Sequence, residues 1–265
     1  MTAGIHQIYH EHGMKLLQPY FVSVSTELNL ELREAKAKKN AENIIKALYL
    51  TFSSIISLYY LNQGNYLPVM MGGISSNNHI SRVYASYPLI NHVWGIKEFY
   101  LVLSGYHLSG TIRHLRIPVE KRKNDYIEMC LHHLLTVSLF CGGYIMNDIE
   151  PGIITSFLMD FCDIWVHFAK GFVDTKFKTT CTVFGVFMWF FWGYTRLYCF
   201  PYFIYMVKYS PPFSEPLNMQ GTPEGHIALL ITSLLSILGI MGIWWWYLIS
   251  KMVFTALSKG KVRDI

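Results

Sequence analysis

Long apolar runs separated by short polar stretches dominate the chain, and six of them approach the thickness of a lipid bilayer. They are Ile44–Leu61, Leu89–Gly110, Tyr126–Met146, Gly152–Phe172, Thr180–Val207 and Ile227–Leu257. A helix needs roughly 20 apolar residues to cross the hydrocarbon, within a range of about 17–25. The first, fifth and sixth runs meet that on apolarity alone. The second, third and fourth carry more polar groups than an isolated span tolerates, so they are expected as inner helices of a bundle. The fifth and sixth exceed a perpendicular crossing and imply tilt or extension beyond the lipid. Pro201, near the end of the fifth, predicts a kink. Ahead of the first run, Leu28–Asn43 is rich in helix formers and charge, and reads as a helix on or near the cytoplasmic face. Asn62–Pro88, with its Gly, Asn, Ser and Pro, reads as an extramembrane connection, and Pro211–Pro216 as a turn.

The charges give a second, independent line. Of 22 Lys and Arg residues, five lie between Arg33 and Lys46 and five between Arg113 and Lys123. Three more are Lys170, Lys176 and Lys178, and four are Lys251, Lys259, Lys261 and Arg263. These groups precede the first run and follow the second, fourth and sixth. The alternate connections hold little positive charge. That alternation predicts six spans with both termini on the cytoplasmic side, or on the matrix side of a mitochondrial inner membrane.

Composition agrees with lipid as the solvent. The chain of 265 residues is 52% hydrophobic and only 15% charged, with mean hydropathy +0.28. A soluble domain carries about 25% charged residues. The five cysteines lie in or beside apolar runs without metal-ligand spacing, and read as small buried hydrophobes. No secretory signal peptide, internal repeat or nucleotide-binding glycine loop stands out, and nothing points to nucleic acid. The chain reads as one domain.

Chemistry concentrates in the third and fourth runs. Glu128-Met-Cys-Leu-His132-His133-Leu-Leu-Thr136 places two histidines side by side on a helix. Successive residues point about 100° apart, so one ring can face a cavity while the other packs on a neighbour. Met159-Asp160-Phe-Cys-Asp163 sets two carboxylates three residues apart, on nearly one face. Carboxylates in mid-membrane are costly unless paired, protonated or facing water, and such residues usually mark a functional site. A carboxylate can hold an imidazole in one tautomer and stabilise the imidazolium formed when it takes a proton. Histidine can also act as a nucleophile. Structural polar networking is the bland alternative, and no ligand spacing supports a metal site. His92 and His107 read as satisfied core or interface residues. Trp244-Trp245-Trp246-Tyr247 reads as lipid-facing or packing bulk.

The run from Lys121 to Lys170 resembles the longevity-assurance motif of the ceramide synthases of the TLC-domain family. The matching residues are Asp125, Glu128, His132, His133, Thr136, Leu139, Tyr144, Asn147, Gly152, Asp160, Asp163, Ala169 and Lys170, without a gap. Thr195-Arg196-Leu197 with Pro201 resembles the Thr-Arg-Leu…Pro of the same family, and Tyr84–Pro88 and Phe99-Tyr100 resemble weaker features upstream. The resemblance implies an all-α integral membrane protein, a six-span TLC-domain bundle around a lipid or acyl cavity. It divides the chain into a surface segment 1–43, a TLC domain 44–257 and a basic tail 258–265.

It also implies transfer of a fatty acyl group from acyl-CoA, the co-substrate, to the amine of a sphingoid base, with no bound cofactor and no metal. His132 or His133 would be the base or a transient acyl acceptor. Asp160 and Asp163 would orient and charge-stabilise them. Arg196 would pair with the aspartates or with coenzyme A phosphates, and Tyr144, Asn147, Lys170, Glu128, Thr136 and His167 would line the cavity. The implied setting is the endoplasmic reticulum, among membrane lipids, as a homodimer or part of a larger assembly. Several positions depart from the motif. Met159 replaces a histidine, as in fungal members; Gly143 replaces Ser, Glu150 replaces Arg, His167 replaces Glu and Asp174 replaces Tyr. Glu150 and Asp174 read as exposed charges near span ends. The departures motivate a second reading: a catalytically inactive TLC-fold lipid-binding or structural subunit of a larger membrane complex, mitochondrial in one version.

Overall fold

A computed structural model describes residues 2–84, 91–209 and 223–259. Among these residues the only β feature is an isolated bridge between Ser25 and Thr175; the rest of the regular structure is helical. Helix α1 (Thr2–Val24) precedes α2 (Leu30–Gln63), whose N-cap Asn29 accepts a hydrogen bond from the Leu32 amide. After two short 3₁₀ turns come α3 (Ile96–Leu115), α4 (Tyr126–Ile145) and α5 (Ile149–Gly171). Helix α6 (Lys178–Trp192) passes through a π-helical turn, Gly193–Cys199, into α7 (Phe200–Lys208), and α8 spans Pro223–Lys259.

From Leu30 onward the charged stretch Leu28–Asn43 shares one unbroken helix, α2, with the first apolar run. No Gly or Pro interrupts it, so a change from polar to apolar composition does not end the hydrogen-bond ladder. The second apolar run starts helical structure only at Ile96, later than its apolar pattern, and its first residues lie outside the described set. Gly95 sets this start: its φ of 82° is left-handed, and a Cβ there would come within 2.8 Å of the Tyr60 hydroxyl. Pro211–Pro216 and most of the C-terminal tail also lie outside the described residues.

Among the described residues, three helices are long and apolar enough to cross a membrane: Leu30–Gln63, Ile149–Gly171 and Leu229–Thr255 within α8. Two of these readings differ from the sequence pattern. The fourth run, expected to be too polar alone, qualifies as α5. The fifth, expected to pass easily, is divided, and α6 by itself has only 15 residues. Pro201 is the physical reason for the division. Lacking an N–H, it cannot donate to Leu197 in an α-helix; the chain widens beforehand, and the Phe200 amide bonds Thr195 O five residues back.

Helix α2 shows how the bundle is assembled. Ala37, Ala41, Ala47, Ser53, Ser54 and Ser57 are buried, and α2 packs most extensively against α5. Small side chains let two helix backbones approach closely where lipid removes the hydrophobic drive. The opposite stripe, Leu48, Phe52, Ile55 and Tyr59, is apolar and exposed, as a lipid-facing surface requires. The two helices are antiparallel: Asn40 Nδ2 donates to Val173 O, and His167 Nδ1 lies 2.9 Å from Asn43 Oδ1.

Helix α1 docks on this pair through Phe21 and Val24, which pack with Ala37, Ala41 and Ile44. The α1–α2 turn is tied to the turn after α5. The Thr26 amide donates to Asp174 O, the Lys176 amide donates to Val24 O, and Lys36 Nζ bridges Glu27 (2.7 Å) and Asp174 (3.0 Å). Asp174, exposed as its position in the sequence suggests, is thus an ion-pair partner in a left-handed backbone (φ 57°).

Candidate active site

A pocket of about 710 Å³ lies among α2, α3, α4, α5, α7 and α8. One end carries Glu42, Lys46, Arg113 and His114. His107, His132, His133, Asp160 and Asp163 line the middle, and Phe203, Val207, Ile231, Leu235 and Leu238 give the other end an apolar wall. This order follows from the helix directions. The end of α3 meets the start of α4, where the His114 ring stacks on Tyr126, and the end of α5 meets the start of α2.

Both adjacent histidines of α4 reach this pocket, although they leave the helix about 100° apart. Their rings lie 5.6 Å apart, tilted by 54°. His132 sets its ring edge-on to Trp245 at 5.3 Å, while His133 lies 5.1 Å from the His114 ring. His132 Nδ1 is buried with no hydrogen-bond partner. Thr136 also lines the pocket, and its hydroxyl donates to His132 O in its own helix.

The two aspartates of α5 have different partners. Asp163 pairs with Arg196 at 3.0 Å, and Arg196 also donates to Cys162 Sγ (3.1 Å) and Met159 O (3.2 Å). Its guanidinium lies 4.1 Å from the Trp192 ring centroid. Arg196 is 2% exposed and sits behind Asp163, not on the pocket wall. It is carried by the π-helical turn that accommodates Pro201. Asp160 accepts from the Ser156 hydroxyl (2.8 Å) and faces His107 Nε2 at 3.5 Å. Among the described residues, no hydrogen bond joins either aspartate to His132 or His133, so the expected pairing with the α4 histidines is absent from this arrangement.

The remaining candidates divide. His167 lines the pocket and its Nδ1 faces Asn43. Tyr144 is 52% exposed at the far end of α4, Lys170 is exposed at the end of α5, and Glu128 is half-buried in the first turn of α4; none of them lines the pocket. Asn147 stands in the α4–α5 turn with φ 57°, its side chain facing His92 Nε2 at 2.8 Å. The other nitrogen of His92 meets Glu150 at 2.7 Å. Glu150, expected to be an exposed charge, is 0% exposed. The tight turn folds the start of α5 inward, and the imidazole of His92 compensates the buried carboxylate. His92 is accordingly a satisfied interior residue. His107 is not: it lines the pocket beside Asp160. The signal for it was available, since His107, Gly110 and His114 fall at i, i+3 and i+7 and so on one face of α3. Among the described residues, no group of three or more His, Cys, Asp or Glu side chains could hold a metal.

Residues 39–251 match the TLC domain, and the chain belongs to that family. It is similar to ceramide synthase hyl-2 of Caenorhabditis elegans, at 25% identity over 241 residues, covering 88% of this chain and 68% of that protein. It is 27% identical to ceramide synthase 4 of Homo sapiens over 207 residues (76% of this chain, 50% of that protein). It is 24% identical to the sphingosine N-acyltransferase lac1 of Schizosaccharomyces pombe over 255 residues (94% and 63%). The chain thus spans between half and about two thirds of the length of these curated relatives.

Proposed function

We propose that the chain is a ceramide synthase-like N-acyltransferase that moves a fatty acyl group from acyl-CoA to the amine of a sphingoid base. The observation that carries this reading is the meeting of His132, His133, Asp160 and Asp163 on the wall of one pocket that also has a long apolar wall. The substrates have the same division: a polyanionic carrier or an amino-alcohol head, each with a long hydrocarbon tail. Lys46, Arg113 and His114 suit the anionic carrier, and the wall from Phe203 to Leu238 suits the tail. The relatives named above support the same chemistry.

The reaction joins the amine nitrogen to the thioester carbonyl carbon, breaks the carbon–sulfur bond and moves one proton from nitrogen to sulfur. A neutral imidazole serves it in either of two ways. It can take the amine proton as general base, or it can accept the acyl group first and pass it on. His132 and His133 are placed for one or the other. Arg196 holds Asp163 in place at the pocket. Around the pocket we place six spans, with α6 and α7 forming one of them, and assign 44–257 to the TLC domain, 1–43 to a surface segment and 258–265 to a basic tail. Both termini then face the cytoplasm, and the membrane is that of the endoplasmic reticulum. The basic-loop alternation supports this orientation.

Purified protein given sphinganine and acyl-CoAs of several chain lengths is expected to release coenzyme A and form the amide, measured by mass spectrometry. His132→Ala and Asp160→Ala are each expected to lower the rate by about 10²–10⁴-fold, the range for loss of a positioned acid–base group. Well-folded wild-type protein that yields no amide would sink the proposal. The second reading, a lipid-binding subunit without turnover, draws on the lack of contact between the aspartates and the α4 histidines. It predicts a bound phospholipid and stable membrane partners in place of product.

A further inference from the structure

The two pocket aspartates are unequal in their partners. Asp163 has a permanent cation, Arg196, at 3.0 Å. Asp160 is 5% exposed and, among the described residues, has no Lys or Arg within ion-pair distance; what faces it is the Ser156 hydroxyl and the imidazole of His107. His107 Nε2 is buried, has no partner within hydrogen-bond geometry and lies 3.5 Å from Asp160 Oδ2. A small rotation of either side chain closes that gap. The ring is held by its stack on Phe140, with centroids 5.1 Å apart and planes within 27°. Its other nitrogen, Nδ1, takes part in no hydrogen bond among the described residues, and the residue lines the pocket.

We infer that His107, with Asp160 behind it, is the general base that takes the proton of the attacking amine. The inference rests on the acyl-transfer reading above. A carboxylate that accepts Nε2–H fixes the tautomer with its lone pair on Nδ1, the nitrogen without a hydrogen bond among the described residues. When the sphingoid amine attacks the thioester carbonyl, the N–C bond forms and the amine proton passes to Nδ1. The imidazolium that results lies against the Asp160 carboxylate, so its charge arises where a counter-charge already sits. The tetrahedral intermediate collapses, the C–S bond breaks, and the departing sulfur takes the proton from His107, restoring the neutral ring. Neither α4 histidine has a carboxylate so placed. His132 lies against Trp245 and His133 against His114.

The test uses the full-length protein in detergent micelles with acyl-CoA and sphinganine, comparing His107→Gln and His107→Phe with wild type. The second variant keeps an aromatic ring against Phe140. Both are expected to lower kcat by about 10²–10⁴-fold while KM for each substrate and the melting midpoint stay close to wild type. His107→Ala is expected to regain turnover on addition of free imidazole, which a purely structural role would not allow. If the folded variants turn over within about two-fold of wild type, or if kcat and KM change together, the role of His107 is overturned. A well-folded His107→Ala that imidazole does not restore overturns it as well; if that variant does not fold, the kcat and KM split in the other two decides. Wild-type protein that makes no amide removes the acyl-transfer reading itself, an outcome separate from failure of these variants.

Discussion

Tyr100 explains why Gly143 stands where the resembling motif has serine. The ring is fully buried, its hydroxyl donates to Phe140 O at 2.8 Å, and it wedges between α4 and α5. A Cβ on Gly143 would fall 2.6 Å from the Tyr100 hydroxyl, and one on Gly152 would fall 2.5 Å from a ring carbon. Gly143→Ala and Gly152→Ala are each expected to destabilise the protein by about 1–3 kcal/mol through overpacking, read as a lowered melting midpoint. In a Tyr100→Phe background the Gly143 penalty should shrink, because the clashing atom is the hydroxyl, whereas the Gly152 penalty should persist. Arg196 gives a second prediction at this scale. Arg196→Ala strands Asp163 in the membrane interior and is expected to cost toward the lower end of the roughly 3–5 kcal/mol typical of breaking a buried pair. The lower end applies because the Asp163 side chain is 32% exposed to the pocket. Thermal unfolding in detergent, with Asp163→Asn as the partner in a double-mutant cycle, checks it.

Helix ends and breaks were the least legible feature at the scale of elements. The apolar pattern announces Leu89 as the start of a span, yet a left-handed Gly95 against Tyr60 delays the helix to Ile96. The kink at Pro201 is written in the sequence, but its form is not. A π-helical turn spreads the disruption over Gly193–Cys199 and carries Arg196 to Asp163. The strap between the α1–α2 turn and the loop after α5 was equally hidden, since Asp174 is far in the chain from its partners Glu27 and Lys36. The Lys36 ammonium beside Glu27 holds that carboxyl below its ordinary value of 4.5. A depressed carboxyl contributes stability above its unfolded value and loses it as pH falls through the lower folded value. Protection of the amides of residues 24–30, taken relative to their intrinsic exchange rates, is therefore expected to fall as pH drops below 4.5, with little change between pH 5 and 8. Exposure and salt screening keep this effect local and small.

For the whole molecule, large apolar side chains cover much of the outside as well as filling the core, as a lipid-facing bundle requires. Trp244 and Tyr247 of α8 point out, while Trp245 contacts His132 and Trp246 stacks on Trp189, so one tryptophan run serves lipid and core together. The six spans proposed above require both termini on one side. Tags fused at residues 1 and 265 should therefore be digested together in sealed microsomes, with cysteines introduced in the Asn62–Ile80 connection labelled only from the lumen. Protection of one tag alone would exclude that topology. The sequence by itself determined the helical membrane class, the charge alternation and the presence of ionisable residues in the third and fourth runs. Those properties depend on local composition and on spacing along one helix, which the chain carries explicitly. Tertiary structure decided which groups meet: Arg196 with Asp163, His107 with Asp160, His92 with the buried Glu150. Each of these pairs joins segments far apart in the chain, and no periodicity within one helix encodes a partner on another.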